Sequence, residues 1–200
     1  MSIYALDLIG VFAFAFFGAN SAVQSQLHIV WAALCGFLTA LGGGTIRQAI
    51  LQHEPTYFKD PLYGLAVLSA VLVASLGKRH FHHLRAPMLV LDAVGLAVFA
   101  YLGTSAADRA GLGPEVMFGF AMLTAVGGGI ISDLLIIQRR PQILVEKVYV
   151  VPVLAFVAAY WAFQDYVHRP LVIPALIIGA FSLRFGTLLQ QQWRELKMAH

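Results

Sequence analysis

The chain has 200 residues, is 60% apolar and only 12% charged, with a net charge of +3 and a mean hydropathy of +0.78. A soluble domain is nearer a quarter charged, so this balance excludes an ordinary soluble fold and places the chain among integral membrane proteins. So small a charge, with its basic residues in the connectors, offers no face for nucleic acid, and the single cysteine, Cys35, excludes an internal disulfide framework.

A bilayer core takes about 20 apolar residues per helix, and only helices or closed barrels satisfy every backbone group there. The long runs here are apolar nearly all round, which predicts an all-α membrane protein of seven transmembrane helices in one domain, residues 1–200. The first span, about 3–23, opens on MSIYALDLIG, which has no basic leader and no clear cleavage site, and is expected to be retained. Asp7 sits early in it, where a carboxylate suits the helix dipole or a polar pore mouth. The second span, about 29–51, holds Cys35 as a small packing residue and the stretch LTALGGGTIRQAIL. The third, about 60–76, is short. The fourth, about 87–105, carries a second early carboxylate, Asp92, and the fifth, about 115–137, the stretch LTAVGGGIISDLLI.

The sixth span, about 145–163, begins near Lys147, whose long stem reaches the interface or approaches a polar path. The seventh, about 171–189, contains Arg184, expected near the cytoplasmic surface. Pro55, Pro61, Pro87, Pro114, Pro141 and Pro170 fall at or near span boundaries, whereas Pro152 and Pro174 lie inside spans and predict kinks. His80, His82 and His83 have no carboxylate or cysteine beside them, so their loop reads as a basic surface for anionic lipid rather than a metal site. Tyr160, Trp161, Tyr166 and Trp193 suit interfacial aromatic belts.

Orientation follows from Lys and Arg. Lys78, Arg79, Arg85, Arg139, Arg140, Lys147, Arg194 and Lys197 lie on one side, and Lys59, Arg109 and Arg169 on the other. The richer side is expected to be cytoplasmic, with the N-terminus outside and the C-terminus inside.

The glycine triplets, Gly42, Gly43, Gly44 and Gly127, Gly128, Gly129, stand 85 residues apart. The same offset aligns LDLIGVFAFAFFGA at 6–19 with LDAVGLAVFAYLGT at 91–104. Each copy covers three spans, about 3–76 and 87–163, and three is odd, so the second copy enters the membrane from the opposite face. The layout is a 3+3 inverted repeat plus one C-terminal helix. Such repeats place their interrupted segments at a permeation or binding site.

Glycine costs about 0.8–1.0 kcal/mol against alanine inside a helix. Six of them have two readings. Small residues let helices touch, or helices 2 and 5 are kinked and broken mid-membrane, with free backbone facing a watery path. Arg47 and Asp133 follow the triplets. A charge at mid-membrane costs about 2.5–3.5 kcal/mol unless paired or wet, so the two are expected to lie close across the pseudo-two-fold axis or to have reached opposite interfaces. Thr39, Thr124, Thr45 and Ser132 add hydroxyls that line the path or bond back to their own helices.

The paired GGG stretches, the LD-x-x-G at the head of spans one and four, and the 3+3+1 layout resemble the prokaryotic branch of the trimeric intracellular cation (TRIC) channel family, over about residues 3–189. Related bacterial sequences carry a glycine-transporter label. The resemblance implies a homotrimer in the prokaryotic plasma (inner) membrane, a pore in each subunit lined by spans two and five, and the six glycines as hinge and pore lining. Potassium would be the permeant ion, no cofactor is needed, and bound lipid is the expected companion. That family commonly reads GGG-x-x-R-D. This chain splits the pair, with Arg47 and Gln48 in one copy and Ser132 and Asp133 in the other. No HExxH, GxSxG or P-loop occurs, so an enzyme is not expected. The alternative to a potassium channel is a secondary transporter of a small solute such as glycine, and a weaker third reading is a structural scaffold.

Overall fold

The computed structural model describes residues 3–77, 85–138, 140–141, 150–167 and 169–198. Its described residues form helices α1 Ile3–Gln24, α2 Ile29–Ile50, α3 Pro61–Leu76, α4 Arg85–Arg109, α5 Pro114–Ser132, α6 Val151–Ala162 and α7 Val172–Met198, with two single 3-10 turns, Thr56–Phe58 and Gln164–Tyr166. Five of them hold stretches long and apolar enough to cross a membrane, whereas α3 and α6 have 16 and 12 described residues.

Boundaries follow local chemistry. Asp60 caps α3 by accepting from the Leu62 N–H at 2.9 Å, with Pro61 as the first helical residue, where its missing donor costs nothing. Pro114 likewise opens α5, after Gly113, which offers no side-chain cap. Pro152 and Pro174 also fall in first turns, of α6 and α7, so the kinks expected at them have no cause.

α1 packs on α2 and α3, and α4 on α5 and α6. The two groups meet where α1 touches α4 and α2 touches α5, and α7 lies against α4 and α6. At the first contact the Phe14 ring occupies the hole at Gly95 and the Phe99 ring the one at Gly10, and the rings meet edge to face at 5.0 Å. A Cβ on Gly95 would stand 2.1 Å from Phe14, so the glycine of each LD-x-x-G serves as a socket. Cys35 is fully buried beside Ala22, Val23 and Ala32, as a packing residue should be.

Outward faces are apolar. Leu65, Leu68 and Leu72 of α3 and Ile178 of α7 are exposed, which suits contact with lipid. Trp161, Tyr166 and Trp193 are exposed as the belt reading expects. Tyr160 is instead buried, donating its hydroxyl to Asp108 at 2.9 Å. Lys78, Arg79, His80, His82, His83, Arg139 and Lys147 lie outside the described residues.

Candidate functional site

Both glycine triplets lie in unbroken helix, so the expected interruption is absent there. The triplets make a crossing instead. A Cβ on Gly43 would stand 2.5 Å from the carbonyl oxygens of Leu123 and Thr124, and one on Gly128 would stand 2.3 Å from that of Leu38. A Cβ on Gly42 would lie 3.1 Å from the Gly128 Cα, and one on Gly127 3.6 Å from the Gly43 Cα. The backbones therefore touch, as the small-residue reading expects. Thr39 meets Gly128 while Gly43 meets Thr124, so α2 and α5 run in opposite directions. The irregular segment comes later. Asp133–Ile137 forms one wide π-turn, closed by Gln138 in the left-handed region at φ 56°.

A narrow cavity of about 30 Å³ lies on each side of this crossing. One is lined by Phe14, Phe17, Thr39, Asp92, Gly129, Ser132 and Asp133, among others. The second is lined by Phe99, Leu102, Thr124, Asp7, Gly44, Arg47 and Gln48, with Tyr57 and Tyr63. Those first seven match the seven of the other cavity at the 85-residue offset, and Ala40 and Leu41 match Ala125 and Val126 in the same way. Each cavity thus draws residues from both halves of the chain, with Thr39 beside Gly129 and Thr124 beside Gly44.

The polar groups divide between the cavities. Asp7 accepts from the Tyr63 hydroxyl at 2.6 Å. Arg47 shares that cavity, and its Nε and Nη1 are buried without a hydrogen-bond partner among the described residues. Its guanidinium folds back over Gly44, with Nη2 3.9 Å from the position of an added Cβ. Thr124 Oγ1 and Ser132 Oγ are likewise buried without a hydrogen bond, each facing its cavity. Thr45 lines neither cavity: it donates to the Leu41 carbonyl at 2.7 Å and lies 2.9 Å from the Tyr57 hydroxyl.

Of the two readings of Arg47 and Asp133, closeness across the axis is excluded. Arg47 and Asp133 line different cavities and form no pair. In antiparallel helices, residues that follow equivalent positions move apart, here by about 20 Å along the axes. Arg184, expected near the cytoplasmic surface, is enclosed by the protein. It is 0% exposed, and its Nε and Nη2 each lie 2.7 Å from Asp92 Oδ2. Asp92 is 3% exposed and well inside α4, so the first-turn dipole does not account for it. The signal for this pair was available: an arginine in an apolar helix needs a carboxylate, and Asp92 is one of few. The partner could not be chosen without knowing that α7 packs on α4.

Comparisons with known proteins agree with the geometry. A family model described as glycine transporter matches residues 4–79 and 89–165. The inner membrane protein YadS of Escherichia coli is 34% identical over 170 residues, 82% of each chain. A prokaryotic TRIC channel crystallised in 0.5 M KCl superposes with a TM-score of 0.86 at 26% identity, covering 94% of this chain and 96% of that one. The TRIC trimeric intracellular cation channel orthologue from Rhodobacter sphaeroides gives 0.80 at 32% identity, covering 94% and 98%. These relatives are membrane proteins and cation channels rather than enzymes.

Proposed function

The chain belongs to the glycine transporter family, an integral membrane family whose fold is that of prokaryotic TRIC channels, and from this we propose that it is a monovalent cation channel selective for potassium. The observation that carries the reading is the pair of matched polar cavities flanking the glycine crossing. Each is large enough for a water-sized species. Thr39 and Asp133 on one side, and Thr124 and Asp7 on the other, offer oxygens to a cation that sheds water. The crossing is the constriction, held by backbone contacts, and a small separation of α2 from α5 joins the two cavities. Gly42, Gly43, Gly127 and Gly128 form this constriction, with Gly44 and Gly129 on the cavity walls.

The assembly in this reading is a homotrimer in a prokaryotic inner membrane, with one path per subunit, the N-terminus outside and the C-terminus cytoplasmic. Lipids are its surroundings, and no cofactor is used. Planar-bilayer recording tests the channel. Unitary currents whose reversal potential follows the potassium gradient are the expected result.

A second reading rests on one cavity that holds both Asp7 and Arg47, which suits a zwitterion such as glycine. Saturable glycine uptake into proteoliposomes, without unitary currents, would replace the channel by a transporter.

A further inference from the structure

Arg47 lines two cavities. The second, of about 240 Å³, lies where α2 and α4 end and is far larger than the chambers beside the crossing. Its polar lining is Arg47, Gln48, His53, Ser105 and Arg109. Arg109 is exposed in the last turn of α4 and lies beside the Tyr101 hydroxyl. Among the described residues, no carboxylate lines this cavity. Asp7 lines the adjoining chamber, which Arg47 also reaches, and accepts from Tyr63. Asp108 is turned to Tyr160 and Gln164, each 2.9 Å away.

A position in the last turn explains each arginine singly, since cations suit the negative end of a helix. It does not explain why two guanidiniums meet in one cavity, where like charges repel. Nor does it account for two Arg47 N–H groups buried with no hydrogen-bond acceptor among the described residues. An anion between the guanidiniums answers both. Guanidinium forks match the oxygens of phosphate, and Gln48 supplies a neutral donor.

We propose that this vestibule is a binding site for a phosphate group, with Arg47 and Arg109 as its cationic arms. The group comes from free phosphate or from a phospholipid head. Bound there, it neutralises the charge of Arg47 at the entrance to the inner chamber.

The test uses delipidated full-length protein in neutral detergent. Isothermal titration with sodium phosphate, against sodium chloride at matched ionic strength, reads the free ion. Native mass spectrometry after exchange into phosphatidylglycerol-containing nanodiscs reads the lipid. The expected result is saturable binding of one phosphate group per chain in at least one arm, weakened tenfold or more by Arg47→Gln and by Arg109→Gln. Arg169→Gln, which removes a cation stacked on Tyr166, leaves it unchanged. Binding in the titration identifies a soluble ligand, and binding in the nanodisc arm alone identifies a lipid. Arg109 is exposed, so its variant is expected to fold, and it carries the test if Arg47→Gln does not. No saturable binding in either arm, or binding within twofold of wild type in Arg109→Gln, overturns the proposal. Neither result bears on whether potassium permeates.

Discussion

Alanine substitution along the triplets separates contact from cost. At Gly128 the added Cβ would stand 2.3 Å from the Leu38 carbonyl oxygen, where ordinary contact begins near 3.4 Å, so α2 and α5 must part by about 1 Å. Overpacking of that kind costs about 1–3 kcal/mol. For a chain of this size that lowers the melting temperature by roughly 2–12 °C. Gly129 meets nothing within 4 Å and Gly44 only the end of Arg47 at 3.9 Å. Alanine at these two should therefore gain helix propensity, about 0.8–1.0 kcal/mol each, and raise the melting temperature by a few degrees. Thermal unfolding in detergent, followed by circular dichroism, reads the difference. The channel reading adds that Gly128→Ala, which props the constriction apart, alters unitary conductance more than Gly129→Ala. If the four variants at Gly43, Gly44, Gly128 and Gly129 melt alike, or if Gly44→Ala is the worst, the touching crossing is not how these helices meet.

Breaking the buried Arg184–Asp92 pair from one side should be severe, about 3–5 kcal/mol for Arg184→Met or Asp92→Asn, whereas Arg184→Met with Asp92→Leu should recover much of the loss, as a double-mutant cycle in thermal unfolding would show. Tyr63→Phe removes the donor to Asp7 and should cost about 1.5–3 kcal/mol by the same measurement. Thr124→Val, which keeps shape but removes a hydroxyl facing a cavity, should lower potassium conductance with little change in melting, and an unchanged current would remove Thr124 from the path.

Much of the fold is legible because the membrane leaves few choices. Apolar runs bounded by proline gave α2 and α3 to within a residue or two over 29–51 and 60–76, while the fifth span, 115–137, takes in both α5 and the π-turn Asp133–Ile137. The sites were harder. Glycine in a helix signals either a break or a contact, and the two readings share one sequence. What separates them is the neighbour: Gly43 and Gly128 face backbone from the other triplet, while Gly129 faces open space. The irregular turn at Asp133–Ile137 has no glycine at all. Its residues, DLLII, read as ordinary apolar helix, and only the left-handed Gln138 beyond them marks the end. The supposed meeting of Arg47 with Asp133 came from treating pseudo-equivalence as proximity, which holds only at the crossing itself.

The 85-residue correspondence also shows what α7 contributes. Asp7 and Asp92 are equivalent positions, each lining one narrow cavity. In the first half Asp7 has Tyr63 as its donor and Arg47 on the same cavity wall. The position equivalent to Arg47 in the second half is Ser132, which brings no charge. A buried Asp92 left with a serine would be costly. Arg184 supplies the cation from outside the repeated segments, through a helix that has no counterpart in either half. The two equivalent carboxylates therefore have different surroundings: Asp7 shares a cavity wall with Arg47 of α2 but is bonded to Tyr63, whereas Asp92 is bonded to Arg184 of α7. Arg47 stands on α2, which crosses α5, whereas Arg184 stands on α7, which packs on α4 and α6.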